Sequence, residues 1–143
     1  MFLKDQKMAL RNYANEYTAL GNQQRTSEST PENLIVMLYE KLCVCLKRTL
    51  MLPIDRIDEL ELDERLRSIE DYHKQTGKAL QILVTLRELL DLETGGEVAK
   101  QLNETYRHLA NSLWKATREK DLSTIDSLFT AISELRDAWR SVS

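Results

Sequence analysis

The sequence predicts an all-α protein, an antiparallel four-helix bundle with an additional short N-terminal helix or lid. Apolar residues recur every three or four positions along most of the chain, which is the period of a helix packed on one side. The pattern breaks at Pro53, at Gly95 and Gly96, and near Asp121, so the connections between helices are short. Short connections make successive helices antiparallel neighbours, and no alternating pattern indicates a strand.

Composition limits the class of protein. The 143 residues include 42% hydrophobic residues, four glycines and two prolines, which suits one domain with a substantial core. The formal net charge is −3 with acids and bases mixed, so no basic block predicts nucleic acid as a partner. No segment approaches the ~20 apolar residues that span a membrane, and the N-terminus lacks the features of a signal peptide. We therefore expect a cytoplasmic protein that does not insert into a membrane.

Residues 1–29 are predicted to form a mobile N-terminal segment or lid, and residues 30–143 the helical bundle. The stretch 21–29 is rich in Ser, Thr, Asn and Gln without apolar periodicity, which is typical of a flexible linker. The residues ahead of it have the spacing of a short amphipathic helix, with apolar positions at Met8, Leu10, Tyr13, Ala14, Tyr17 and Leu20.

The first helix of the bundle is predicted to run from Thr30 to about Leu52. The Thr30 hydroxyl can cap a free backbone N–H, and Pro31 has the backbone geometry of the first helical position. Pro53 ends the helix because the residue before a proline avoids the helical conformation.

This helix carries more apolar surface than a bundle core requires. Residues 34–39 are six apolar residues in succession, and at about 100° per residue they go past a full turn. A core-facing stripe needs only about 100° of the circumference or somewhat more, whereas here about half is apolar. Four further apolar residues fall outside even that half, namely Val36, Met37, Val44 and Met51.

The two cysteines lie in the same helix. Cys43 and Cys45 are two residues apart, so their side chains project roughly 200° apart and cannot bridge each other or share a metal. We expect both to be small hydrophobic residues with unreactive thiols.

The second half of the chain has clearer boundaries. Residues 54–62 suit a brief helical connector, and Asp63 is predicted to cap a long helix with apolar positions at Leu66, Ile69, Leu80, Leu83 and Leu90. Gly95 and Gly96 permit a tight reversal. The next helix has a stripe at Val98, Leu102, Tyr106, Leu109, Leu113 and Ala116.

Lys120 and Asp121 close that helix, and Ser123 with Asp126 three residues on resembles a cap for the last one. The last helix has a single apolar stripe at Ile125, Leu128, Phe129, Ile132, Leu135, Trp139 and Val142.

Two readings of the excess apolar surface stay open at this stage. The helix at 30–52 can be a central helix buried on every side, as happens in many bundles. Alternatively, it forms a groove with the following helix, in which Ile82, Leu86 and Leu89 lie beside the main stripe. Such a groove receives the apolar face of an amphipathic helix from a partner.

The segment TPENLIVMLYEKL resembles the (S/T)P-x-x-LI-x-MLY motif of the flagellar secretion chaperone family, FliS. The likeness continues in order through KALQILVTLRELLDLETGGEVAKQL, TYRHLANSLWKATREKDLSTI and LRDAW, from Thr30 to Trp139. The chain departs from the family at Glu40 and Lys41, where Asp or Asn and then Gly are usual, and at His108, where an aromatic residue is common.

The resemblance implies an antiparallel helical bundle and a cytoplasmic export chaperone without catalytic activity, cofactor or metal. Such a protein binds the C-terminal segment of flagellin, prevents premature polymerisation and aids delivery to the flagellar type III export apparatus. Export gate components and a second copy of the chain are further candidate partners. The implied client-binding residues are Ile35, Leu38, Tyr39 and Leu42 on one wall and Ile82, Leu86 and Leu89 on the other, with Met8, Tyr13 and Tyr17 in a lid.

Histidine phosphotransfer domains, which are also four-helix bundles of about this size, are the alternative. His73 is followed by Lys74 and Gly77, but the Lys-Gly pair expected after such a histidine is here Thr76-Gly77. No HExxH, CxxC, glycine-rich phosphate loop or nucleophile elbow indicates an ordinary enzyme. We expect the two histidines, His73 and His108, to be solvated, and Trp114 and Trp139 to serve in packing.

Overall fold

The computed structural model describes the backbone of residues 31–141 and the side chains of residues 33–141. Its elements are α1 (Pro31–Met51), a 3₁₀ helix (Ile54–Glu59), α2 (Leu62–Glu88), α3 (Gly96–Glu119) and α4 (Leu122–Arg140). This confirms the all-α four-helix architecture, the end of α1 just before Pro53 and the helical connector. The predictions for Thr30, for Val142 and for the lid residues Met8, Tyr13 and Tyr17 lie outside the described residues.

The four helices form a ring in which each packs against two others. Helix α1 lies between α2 and α4, and α3 completes the ring on the other side. Helices α1 and α4 are antiparallel, since Glu40 meets Arg140 at one end of the pair and Lys47 lies over the ring of Phe129 further along. The same reversal relates α2 to α3, as expected from the short connections.

The centre of the bundle is a cluster of large aromatic residues from three helices. The hydroxyl oxygens of Tyr39 in α1 and Tyr106 in α3 are 2.7 Å apart, within hydrogen-bond distance across the middle of the ring. The indole of Trp139 in α4 lies with its centroid 6.5 Å from that of Tyr39. Burial raises the pKa of Tyr39, so the neutral phenol is the form that the core holds.

The apolar stripes of α3 and α4 are buried in the core as predicted, while the first half of α2 differs from expectation. Leu66 is exposed, whereas Tyr72 and Thr76, further along the same helix, are buried. These polar groups are satisfied there, because the Tyr72 hydroxyl donates to the carbonyl of Thr117 at 2.7 Å and the Thr76 hydroxyl donates to the carbonyl of Tyr72 at 2.8 Å.

Both predicted caps in the second half of the chain are wrong by two residues. Helix α2 begins at Leu62 with Glu61 at the cap position, where no side chain bonds to the backbone, and Asp63 is already in the first turn. Helix α4 is capped by Asp121, whose Oδ1 accepts from the backbone N–H of Thr124 at 3.1 Å. Lys120 ends α3 in the left-handed conformation with φ of 53°, which places Asp121 rather than Ser123 at the start of α4.

A candidate docking groove between α1 and α2

Four of the seven predicted client-binding residues are in the core of the bundle. Ile35, Tyr39, Leu42 and Leu86 are each no more than 4% exposed. Their burial follows from their shared inward faces on α1 and α2, where they meet the stripes of α3 and α4. A partner that docks on the surface of the bundle would therefore contact side chains other than these four.

The other three predicted residues lie at the edge of the core. Leu38, Ile82 and Leu89 are half-buried and pack against the core cluster from outside. They keep some surface for a partner, and Ile82 is the one that borders the groove described below.

The apolar surface of the bundle is concentrated on α1 and α2. Of the residues predicted to fall outside the inward half of α1, Met37, Val44 and Met51 are exposed and only Val36 is packed against the core. The large hydrophobic residues exposed in the described part of the chain are Leu34, Met37, Val44, Met51, Leu62, Leu66, Val84, Leu92 and Trp114. Seven of these nine lie on α1 or α2.

A groove of about 640 Å³ lies between α1 and α2, and Ile82 is the one residue of the seven predicted to bind a client that lines it. Its apolar part consists of Met37 and Val44 from α1, which are 44% and 50% exposed, and Ile82 from α2. The complete lining is Met37, Glu40, Lys41, Val44, Cys45, Arg48, Gln75, Lys78, Gln81 and Ile82.

The polar residues of this groove include a set of cations that sequence reasoning missed. Lys41 and Arg48 follow the same face of α1 as Met37 and Val44, at a spacing of three or four residues. Lys78 faces them from α2. The spacing on α1 was visible in the sequence, but its meeting with Lys78 depends on how α1 and α2 pack.

The cysteines are buried and free, as predicted. Cys45 borders the groove, and burial raises the pKa of its thiol even though Lys78 and Arg48 act in the opposite direction. Burial likewise raises the pKa of Cys43, whose sulfur is 3.8 Å from the hydroxyl of Ser133. Neither thiol is in the thiolate form at neutral pH, so both serve as small packing residues.

The aromatic residues and histidines divide between core and surface. Trp139 is fully buried in the core as predicted, and Trp114 lies at the surface of α3 with 52% of its area exposed. The guanidinium of Arg118 covers part of that ring, with its central carbon 4.5 Å from the centroid. His73 and His108 are exposed as expected. Exposure alone is not evidence that either histidine takes part in phosphotransfer.

The structure offers no metal site or membrane span within residues 31–141. In that part of the chain no group of three or more His, Cys, Asp or Glu side chains is placed to hold a metal ion. None of the helices described there is long and apolar enough to cross a membrane.

Comparison with known proteins identifies one family. A family profile described as "Flagellar protein FliS" matches residues 13–143. The chain is 33% identical to the flagellar secretion chaperone FliS of Vibrio cholerae over 69 residues, which are 48% of this chain and 51% of that protein. It is 25% identical to flagellar secretion chaperone FliSB of Pseudomonas aeruginosa over 128 residues, which are 90% of this chain and 93% of that protein.

A third relative gives the same result. The flagellar secretion chaperone FliS of Salmonella typhimurium is 26% identical over 128 residues, which cover 89% of this chain and 87% of that protein. The matched part of this chain therefore spans about half of the Vibrio relative and most of the other two.

Proposed function

This chain belongs to the FliS family, and with that as premise we propose that it is a flagellar export chaperone whose α1–α2 groove binds the C-terminal segment of flagellin. The family match and the names of the relatives support the chaperone role. The proposal for the client comes from the resemblance in the segment TPENLIVMLYEKL, and the proposal for the site comes from the groove.

The observation that carries the site is an open apolar groove between two adjacent helices. The residues of α1 that line it extend from Met37 to Arg48, which is roughly 16 Å of helix or three turns. This length suits a client helix that presents apolar anchors at positions i, i+3 or i+4, and i+7. Capturing such a helix would cover the same apolar face that flagellin needs for assembly.

Binding requires no chemical step. A client segment that is disordered when free loses conformational entropy as it orders on the groove. Burial of its apolar anchors offsets this loss, at about 1.5–3 kcal/mol for each side chain fully buried, before the cost of association. We expect an affinity that is useful in the cytoplasm and still allows release at the export apparatus.

The test is calorimetric titration of the protein with a peptide of the flagellin C-terminal segment. A charge in the apolar part of the groove, Val44→Asp or Ile82→Asp, is expected to weaken binding at least tenfold, because the carboxylate would have to lose its water. Trp114→Asp is the matched control, since Trp114 is as exposed as Val44 but lies on α3. Helicity by circular dichroism shows that each variant is folded.

The possible outcomes test the binding site and the identity of the client separately. Unchanged affinity in both groove variants would remove the groove as the flagellin site. Loss of affinity only in Trp114→Asp would move the site to α3. Absence of any binding by the unaltered protein would refute flagellin as the client.

Delivery to the export apparatus is a further part of the proposal. We expect the loaded chaperone to bind a component of the type III export gate, which co-purification with and without flagellin can detect. Pairing of two unloaded copies through the groove is not expected, because it would bring Lys41, Arg48 and Lys78 of the two copies face to face. A mass in sedimentation that stays constant across protein concentrations would agree with this.

A further inference from the structure

We infer that the α1–α2 groove selects a client helix that carries carboxylates on both edges of its apolar stripe. This inference rests on the proposed docking role of the groove and adds the charge pattern of the occupant. Its basis is a local excess of positive charge in a chain whose formal net charge is −3. Three cations border the groove, Lys41 and Arg48 from α1 and Lys78 from α2.

All three cations are available to a partner. Each is exposed, and none takes part in an ion pair within 4 Å in the part of the chain that the structure describes. Some other basic residues of the bundle are paired locally, as Arg107 is with Glu104 at 2.8 Å. The groove therefore concentrates cations that lack a protein counterion.

The single carboxylate that lines the groove does not cancel this charge. Oε1 of Glu40 accepts from the guanidinium of Arg140 at 2.8 Å. The same guanidinium lies 3.6 Å from a carboxylate oxygen of Asp137 on α4. The negative charge of Glu40 is therefore paired with Arg140 of α4. The charge that faces an occupant of the groove is positive.

The cations come from both walls of the groove. Lys41 and Arg48 are seven residues apart on one face of α1, which is two turns or roughly 10 Å. Lys78 stands on the opposite wall and lines the same groove as Cys45. A helix whose anchors lie over Val44 would have Lys41 and Arg48 on one side and Lys78 on the other, so it would meet positive charge from both walls.

This pattern favours one occupant over two others. A second copy docked groove to groove about a two-fold axis would bring the same cations face to face, which is repulsive. Three cations around an apolar centre also give few contacts for the regularly spaced phosphates of a nucleic acid. A helix with an apolar stripe and acidic edges satisfies both the apolar and the charged residues of the groove.

The experiment uses three synthetic 18-residue amphipathic helices that share leucine anchors and differ only at the flanking positions, which are Glu, Gln or Lys. At 50 mM NaCl we expect affinity to fall in the order Glu, Gln, Lys, with at least a tenfold difference between the first and the last. At 0.5 M NaCl the difference is expected to shrink to less than threefold, because salt screens exposed charges.

Variants then assign the effect to the groove. The triple variant Lys41→Gln, Arg48→Gln and Lys78→Gln is expected to bind the three peptides alike. The control triple variant Lys47→Gln, Arg107→Gln and Lys115→Gln makes the same change in net charge elsewhere and is expected to keep the order.

Failure of the charge inference is distinguishable from failure of the proposed function. Equal binding of the three peptides by the unaltered protein would overturn the charge inference while leaving flagellin capture intact. An order of affinity that persists in the groove triple variant would also overturn it. Displacement of the acidic peptide by a 20-base-pair duplex at equal concentration would replace the inferred occupant with nucleic acid.

Discussion

Helices α1 and α4 use their apolar residues differently. Helix α4 buries Ile125, Leu128, Ile132, Leu135 and Trp139 on one face, and none of its large hydrophobic residues is exposed in the described part of the chain. Helix α1 buries an equally complete face and still exposes Leu34, Met37, Val44 and Met51. Since both helices contribute a buried face to the same core, the apolar surface exposed on α1 is more than the core requires.

The largest expected effect tests which face of α1 is structural. Leu42→Ala removes a fully buried side chain and is expected to lower the free energy of unfolding by about 2–5 kcal/mol in urea denaturation. Val44→Ala, two residues away and half exposed, is expected to change it by less than about 0.5 kcal/mol. Equal losses would mean that the two faces of α1 do not divide into core and groove.

The next effect tests the contact between Tyr39 of α1 and Tyr106 of α3 at the centre of the bundle. Tyr39→Phe removes the hydroxyl that pairs with Tyr106, and we expect a loss of about 1 kcal/mol in the free energy of unfolding. Because Tyr106→Phe breaks the same contact, the double variant should cost less than the sum, with a coupling of about 0.5 kcal/mol or more. Additive losses in the double-mutant cycle would show that the two hydroxyls act independently.

The amount of apolar surface on α1 is predictable from the sequence, whereas which of its apolar residues face the core depends on how the helices pack. Positions 35, 39 and 42 and positions 37, 41, 44 and 48 both repeat at the spacing of one helical face. Only the second set includes charged residues, Lys41 and Arg48, whose burial without partners would be costly. That difference favours the core for the first set, and Ile35, Tyr39 and Leu42 are indeed buried.

The helix order, the break at Pro53 and the reversal at Gly96 also followed from local chemistry, and Gly96 does adopt a positive φ of 62°. The caps did not, because α2 begins at Leu62 without any side-chain cap, and at α4 the left-handed end of α3 at Lys120 decides between Asp121 and Ser123. The positive charge of the groove could not be predicted from the sequence for a different reason. Lys78 joins Lys41 and Arg48 only through packing, which periodicity does not give.

A smaller effect concerns pH and the buried phenol of Tyr39. Burial raises its pKa in the folded state, so its contribution to stability is complete below the ordinary tyrosine value near 10 and is lost as pH rises further. Between pH 9 and 11, the unaltered protein is expected to lose more stability in urea denaturation than Tyr39→Phe does. Parallel pH profiles would show that Tyr39 ionises as readily in the folded protein as in the unfolded one.

The smallest effect separates the start of α4 from the start of α2. Asp121 caps α4, and its bonds from Thr124 lower the pKa of its carboxyl, so this contribution is present above about pH 4 and is lost as pH falls below it. Asp121→Ala is expected to lower the urea midpoint at pH 7 more than Asp63→Ala does, because Asp63 caps nothing.

Asp121→Asn keeps a capping oxygen without a titrating group, so its midpoint should change less between pH 5 and 3 than that of the unaltered protein. Hydrogen exchange gives a second measure of the same contrast. The first-turn amides of α2 should exchange faster than those of α4, since no side chain accepts at the Glu61 cap position. Equal exchange would mean that packing alone, and not the cap, fixes where each helix begins.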